Sequence, residues 1–340
     1  MNNQKDKSEK KFNIGLIGLG NTGSEHLRYY LNNKKIKKIF ISDIKKIKTA
    51  KNKKIVIDPK LKKFKNLKGK KIVSISNYDK DHYKNILKYY KDSHIFVEKP
   101  LCRSFSEIKK IIKLTKKNKF KSFLSSNLVL RQASIFNNII DQIIKGEFGK
   151  IYYFEGDYLY GRLNKILNGW RGKDSSYSVM LGGGIHMVDL MFRFLQSLPS
   201  FVYSSSNKIV TARKKFHFKD FVQSTFYFKS GAIGKISANF GCVHKHQHVI
   251  KVFGTKKSFI YDDMGARIYN NRDPYSPKQI KFNKNLYDGK ACLLPDFFEN
   301  IKNKKNYSKN IYNELNLISA CVFADQAISK EKKIKIKYIR

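Results

Sequence analysis

The sequence predicts two structural classes in one chain: an α/β half with a parallel, doubly wound sheet, then an α+β half with a large, mostly antiparallel open sheet. Three observations predict this. Residues 12–122 alternate short apolar runs with lysine-rich segments of helical periodicity. A glycine-rich turn, Gly18-Leu19-Gly20-Asn21-Thr22-Gly23, joins the first apolar run to the first helix. From Ile151 onward, long β-rich runs replace the alternation.

In the first half the strands are predicted at 13–17, 39–42, 71–75, 95–97 and 122–124. Helices are expected between them at 81–90 and 106–117, where Ile108, Ile111, Ile112 and Leu114 recur at helical spacing. A further helix at 133–144 ends at Gly146 and Gly149. The β-rich runs follow at 151–160, 201–211, 216–228, 232–243, 248–253 and 258–261, several of them divided by hairpin turns such as Lys229-Ser230-Gly231. One helix near 185–195 interrupts them, and helices at 295–301 and 312–328 with a short strand at 333–338 close the chain. The domains expected are a polar tail at 1–11, an α/β domain at 12–125 and an α+β domain at 126–340, with the last helix and strand packing back on the first domain as an option.

The 340 residues carry a net charge of +44, which invites a nucleic-acid or membrane-surface reading. Only 10 of the 70 basic residues are Arg, and the excess is spread, +25 over 1–122 and +19 over the remainder. Sixty Lys beside 25 Phe, 20 Tyr and 10 Ala is what AT-rich codons produce without any partner. No specific nucleic-acid partner is therefore expected, since specific binders cluster Arg in a recognisable module. Cys102, Cys242, Cys292 and Cys321 show no C-x-x-C or metal spacing and read as reduced thiols. No signal peptide or membrane-length apolar run is found, so a cytoplasmic protein is expected.

The turn at Gly18–Gly23 follows a strand, opens a helix and is trailed by Asp43 at the end of the next strand. That is the context a dinucleotide fingerprint requires. The first glycine allows the tight turn, the second lets the backbone approach a pyrophosphate, and the third lets helix pack on strand. An acid in the place of Asp43 hydrogen-bonds the ribose hydroxyls and repels a 2′-phosphate, so NAD is expected over NADP, with Lys45 and Lys46 as counterweights. Glu98-Lys99-Pro100 stands at the carboxyl end of a strand, where open α/β sheets place ligands. Lys99 could orient and protonate a substrate oxygen there, or be one more lysine among 60.

Five segments then fall in a recognisable order: the glycine fingerprint, Ser76-Asn77-Tyr78, His82, Glu98-Lys99-Pro100-Leu101, and Gly184-Ile185-His186-Met187-Val188-Asp189. In this the chain resembles the Gfo/Idh/MocA family, that of glucose-fructose oxidoreductase and inositol dehydrogenase, over nearly its whole length. The resemblance implies a Rossmann domain, a C-terminal open sheet used for homodimer or homotetramer contacts, a cis Lys99–Pro100 bond and a sugar, inositol or nucleotide-linked sugar as substrate. It implies NAD(P)-dependent hydride transfer at a carbinol carbon, with a role in surface-polysaccharide synthesis as one expectation. His186 would be the general base and Lys99 the donor to the reacting oxygen. Cofactor contacts are expected from Gly18, Gly20, Asn21, Thr22, Gly23, Asp43, Ser76, Asn77, His82, Glu98 and Lys99.

One departure matters: many members read Asp-x-Gly-x-His, whereas the position four before His186 is Gly182. Asp189, one helical turn after His186, could orient the ring or be a structural acid. The missing acid motivates an alternative, a catalytically silent cofactor-binding regulator or scaffold of the same fold. Substrate contacts are expected from Lys99, Arg131, Tyr160, Arg171, Asp189 and His186, since an aromatic face beside Arg suits a sugar ring or an anionic group. His244, His246 and His248 would share one face of a continuous strand, but positions ~6.8 Å apart do not converge on one ion, so no metal site is assigned.

Overall fold

The structure is a computed structural model that describes residues 11–47, 51–117, 122–213, 216–273, 277–281, 285–304 and 307–339. In chain order its first elements are β1 (Phe12–Ile17), α1 (Asn21–Asn32), β2 (Ile36–Ser42), β3 (Ile55–Ile57), α2 (Lys62–Lys65), β4 (Lys71–Ile75), α3 (Asp79–Tyr89), β5 (His94–Val97), α4 (Phe105–Lys117) and β6 (Leu124–Ser126). The six strands form one parallel sheet in the order β3-β2-β1-β4-β5-β6. The order reverses between β1 and β4, and the crevice outside their carboxyl ends is where such sheets hold ligands. All residues of β1 and β4 are buried, as strands covered on both faces must be, which is why they read as largely apolar runs broken only by Asn13, Lys71 and Ser74.

The next elements are α5 (Ser134–Ile144), β7 (Ile151–Leu159), α6 (Leu163–Leu167), α7 (Ile185–Leu195), β8 (Phe201–Asn207), β9 (Phe221–Tyr227), β10 (Ile233–Asn239), β11 (Gln247–Gly254), β12 (Ser258–Asp262), β13 (Gly265–Tyr269) and β14 (Lys278–Ile280). The chain ends in α8 (Leu294–Asn303), α9 (Tyr307–Lys330) and β15 (Ile334–Lys335). A nine-stranded sheet runs β14-β13-β12-β11-β7-β10-β9-β8-β15, antiparallel throughout except for β10 beside β7. Its strands alternate buried and part-exposed residues, so one face packs on helices. Phe154 of β7 and Phe259 of β12 meet Phe194 of α7, and Phe194 meets Phe136 of α5.

Two compact units result. The first comprises Met1–Cys102, Lys109–Asn127 and Asp288–Ile311; the second comprises Arg103–Ile108, Leu128–Tyr287 and Tyr312–Arg340. α8 belongs with the parallel sheet because Leu294, Phe297, Phe298 and Ile301 form one apolar stripe, which joins Phe12, Tyr30, Phe96 and Phe123 in a single core.

Several edges differ from the sequence reading. β3 was not anticipated: three residues at the sheet edge, followed by lysine-rich chain, give too short an apolar run. The run expected to 211 leaves the sheet after Asn207, because Thr211 donates from its N–H and its hydroxyl to the Asp220 carboxylate at 2.7 and 2.8 Å. The strand expected at 122–124 lies at Leu124–Ser126, in register with Ile95–Val97 of β5.

Candidate functional site

The dinucleotide end of the first unit is built by glycines that the backbone needs for different reasons. Gly18 has a φ of 88°, and a Cβ there would lie 2.7 Å from the Asn77 nitrogen. A Cβ on Gly23 would lie 2.0 Å from the Gly18 carbonyl oxygen, whereas one on Gly20 would meet nothing within 4 Å. Gly23 therefore lets α1 close on the turn, and Gly20 leaves open space in front of it. Asn21 and Thr22 begin α1, whose first turn has no side-chain cap and no acidic residue. Its orphan N–H groups are left for an anion.

Ser76 and Asn77 follow β4. The Ser76 hydroxyl donates to the Gly18 carbonyl at 2.8 Å, fixing the turn. The Asn77 side-chain oxygen is buried with no hydrogen-bond partner. Asp43 sits just past β2 and accepts from the Leu19 N–H at 2.6 Å and the Lys45 N–H at 2.7 Å, so its carboxylate is anchored beside the same turn. An open cradle at Gly20, uncapped helix donors and an unpartnered Asn77 oxygen fit a dinucleotide pyrophosphate and its adjoining ribose.

Glu98 and Lys99 follow β5, and the Lys99–Pro100 bond is cis, as the resemblance implied. His82 on α3 is fully buried, with its ring nitrogens 2.7 Å from the Pro100 oxygen and 3.1 Å from the Asn77 oxygen. Both polar edges face main chain, so His82 ties the Asn77 loop to the cis-proline turn and has no edge left for a cofactor. This corrects the expectation of a direct contact.

In the second unit His186 lies in the first turn of α7, entered through a π-helical turn at Met180–Gly184. The three glycines there back onto side chains: a Cβ on Gly182 would lie 1.8 Å from the Tyr177 hydroxyl, on Gly183 2.5 Å from the Tyr158 ring, and on Gly184 2.5 Å from the Met180 sulfur. The Tyr177 hydroxyl thus fills the space that a side chain at Gly182 would need. The His186 ring stacks on Tyr158 of β7 with centroids 6.0 Å apart. Tyr158 in turn stacks with Tyr160 at 5.9 Å and stands edge-on to His246 at 5.1 Å and His248 at 5.4 Å. The Tyr160 ring continues to Phe240, and Phe240 to Tyr177. Arg171 donates from Nε to the Tyr177 hydroxyl at 3.1 Å and covers the Trp170 ring at 4.6 Å. His186, Tyr160 and Arg171 therefore belong to one continuous row of packed rings, in which Tyr158, Tyr177, His186, Phe240 and His248 are buried and Tyr160, Arg171 and His246 are half-buried.

His244 does not join this row. The strand begins only at Gln247, and His244 turns to Asp263 at 2.9 Å.

Arg131 and Asp189 meet each other. Arg131 lies in a short 3-10 turn after β6 and donates from Nε and Nη2 to both Asp189 oxygens at 2.7–3.2 Å, and from Nη1 to Glu314 of α9 at 2.7 Å. Asp189 thus serves the guanidinium, one of the two roles expected of it. Sequence reasoning missed Glu314, Tyr177 and Tyr158. A lone acid in the apolar stretch before Leu315 was the available signal for Glu314, and for Tyr158 its alternation with Tyr160 along one strand face.

Comparison with protein families gives two matches: a model described as an oxidoreductase family with an NAD-binding Rossmann fold covers residues 12–125, and the GFO/IDH/MocA C-terminal domain covers residues 136–260. Curated proteins give no match. Among solved structures, levoglucosan dehydrogenase in complex with NADH and levoglucosan is 17% identical over 97% of this chain and 100% of its own, with a TM-score of 0.80. The myo-inositol 2-dehydrogenase of Lactobacillus plantarum is 16% identical over 96% of this chain and 100% of its own, with a TM-score of 0.77. An NAD binding oxidoreductase from Klebsiella pneumoniae is 16% identical over 97% and 100%, with a TM-score of 0.76. At these identities the likeness speaks for the fold. Among the described residues no helix is long and apolar enough to cross a membrane.

Proposed function

Because the chain belongs to the GFO/IDH/MocA oxidoreductase family and carries its NAD-binding Rossmann half, we propose that it interconverts a carbinol and a carbonyl on a sugar, an inositol or a nucleotide-linked sugar. The proposal includes a place in surface-polysaccharide synthesis and a cytoplasmic homodimer or homotetramer. What carries the reading is the setting of His186, an imidazole within a row of tyrosine, histidine and phenylalanine rings closed by Arg171. Ring faces suit the C–H faces of a cyclic polyol, and phenol, imidazole and guanidinium edges suit its hydroxyls or an attached anion.

Bound NAD supplies the acceptor or donor for the two electrons and the hydrogen exchanged at the carbinol carbon. His186 takes or returns the hydroxyl proton, a role suited to an imidazole whose unperturbed pKa is ~6.5. Lys99 donates to the reacting oxygen and stabilises its developing charge. Tyr160 and Arg171 hold the substrate. Gly18, Gly20 and the first N–H groups of α1, at Asn21, Thr22 and Gly23, hold the pyrophosphate, Asn77 lies against the cofactor, and Asp43 receives the adenosine ribose. The sheet supports oligomerisation through its outward face, where Phe201 and Ile233 flank Tyr227 as direct register partners.

The test is an NADH titration followed through Trp170 and tyrosine fluorescence, then a panel of sugars, inositols and nucleotide-linked sugars with NAD or NADH. Binding lost in Asp43→Ala and kept in Lys99→Ala, with turnover abolished by Lys99→Ala and by His186→Ala, is expected. NADH binding with no turnover anywhere on the panel would replace this reading by a cofactor-binding regulator or scaffold.

A further inference from the structure

Behind the Glu98-Lys99-Pro100 turn lies a buried polar cluster that neither the fingerprint nor the motif accounts for. His26 of α1 and Ser74 of β4 are fully buried, and Asn127, just past β6, is 1% exposed. The Asn127 amide nitrogen donates to Glu98 Oε1 at 2.5 Å and to the Lys290 carbonyl at 2.6 Å. His26 Nε2 lies 3.3 Å from that same carbonyl and 3.7 Å from Glu98 Oε1, while Nδ1 lies 3.0 Å from the Ser74 hydroxyl. A carbonyl can only accept, so Nε2 carries the proton and Nδ1 accepts from Ser74. Burial pushes the His26 imidazole down to about 4, against the pull of the Lys290 carbonyl, so the ring is neutral at working pH.

We infer that His26 and Asn127 are positioning residues that hold the Glu98 carboxylate, and with it the main chain entering Lys99, against the segment around Lys290. The inference deepens the reading of Lys99 given above and rests on it for its catalytic meaning. Three chain segments that are remote in sequence converge on one carboxylate. Glu98 enters the turn with its N–H on the Ile75 carbonyl at 2.8 Å, and Asn127 leaves β6 with its N–H on the Val97 carbonyl at 2.7 Å. The Lys290 N–H donates to Glu25 of α1 while its carbonyl receives Asn127. The helix whose N-terminus faces the dinucleotide is thereby joined to the residue preceding Lys99.

The arrangement also decides the charge of Glu98. Burial pushes its carboxyl up, and the Asn127 hydrogen bond, followed by the charges of Lys99, Lys290 and His82, pulls it back down. Asn127 is the one neutral donor in that set, so its removal should be visible in how Glu98 titrates.

Glutamate-selective 13C labelling gives nine carboxyl signals, and Glu98→Gln identifies the one that matters. In Asn127→Ala the Glu98 titration is expected to move up by about one pH unit. His26→Ala is expected to move it as well, and His26→Gln, which keeps a donor toward the Lys290 carbonyl, to restore it. Asn127→Leu keeps the volume without either donor and gives the same reading where the smaller side chain lets the loop collapse. An unchanged Glu98 titration in folded Asn127→Ala and Asn127→Leu overturns the inference. The signal is read without substrate or turnover, so a failure of the proposed reaction leaves this test standing.

Discussion

Arg131 grips Asp189 with two nitrogens, 2.7–3.2 Å from the carboxylate oxygens, and spends its third on Glu314, which is 1% exposed. Asp189 lies one helical turn beyond His186 on α7, so the cluster joins the helix that carries the imidazole to α9 and to the turn after β6. Breaking a buried ion cluster from one side strands a charge, whereas replacing all of it by apolar side chains does not. Asp189→Ala or Arg131→Met is expected to cost about 3–5 kcal/mol in denaturant unfolding. The triple change Arg131→Met, Asp189→Leu, Glu314→Leu is expected to regain most of that. A single variant costing under ~1 kcal/mol would show that water already reaches the cluster.

Gly182 and Tyr177 compete for one volume. Since a Cβ on Gly182 would stand 1.8 Å from the Tyr177 hydroxyl, any side chain there must expel the phenol and its hydrogen bond from Arg171. Gly182→Asp is expected to lower stability by about 1–3 kcal/mol through overpacking. In a Tyr177→Ala background the same change should cost much less, with thermal melts of the parent, both single variants and the double as the check. An equal cost of Gly182→Asp with and without Tyr177 would contradict the competition.

What the sequence revealed follows the range of the physics involved. The five segments of the resemblance are local: a strand, a turn with defined glycines, a helix, and each lies on the element where it was expected. α7 was read at its observed bounds, Ile185–Leu195. Arg131 stands 58 residues from Asp189 and 183 from Glu314, and no periodicity couples them, so their meeting was not legible. His82 failed similarly, because a buried imidazole between two carbonyls and a ligand-facing one share the same helix position. His244 was misplaced for a backbone reason: alternation holds only inside a strand, and β11 starts three residues later.

Asp325 gives the chain a pH dependence of its own. It lies on α9, where burial pushes its carboxyl up to about 7 from 3.8, against the lowering hydrogen bond from Ser178. The folded state then holds a proton that the unfolded chain has released across that window. The associated stability is present below about pH 4 and is lost as pH rises toward 7. Asp325→Asn cannot titrate, so its stability relative to the parent chain is expected to improve steadily between pH 4 and pH 8 in urea unfolding. A constant difference across that range would mean that Asp325 is ionised throughout.

The second and third glycines of the fingerprint can be separated by experiment, because the fold asks different things of them. Gly23 touches protein: a Cβ would sit 2.0 Å from the Gly18 oxygen, so Gly23→Ala must push α1 off the turn and disturb the Ser76 bond that fixes it. Gly20 touches only open space, so Gly20→Ala leaves the fold as it is and places a methyl group where a pyrophosphate would approach. Gly23→Ala is expected to lower the melting temperature by several degrees, since about 1 kcal/mol shifts a melt by roughly 2–4 °C in a chain of 150–250 residues. Gly20→Ala should leave the melt unchanged and weaken NADH at least tenfold, about 1.4 kcal/mol. If Gly20→Ala bound NADH as the parent does, the dinucleotide would have to pass the turn elsewhere, and the open space in front of Gly20 would lose its meaning as a cradle.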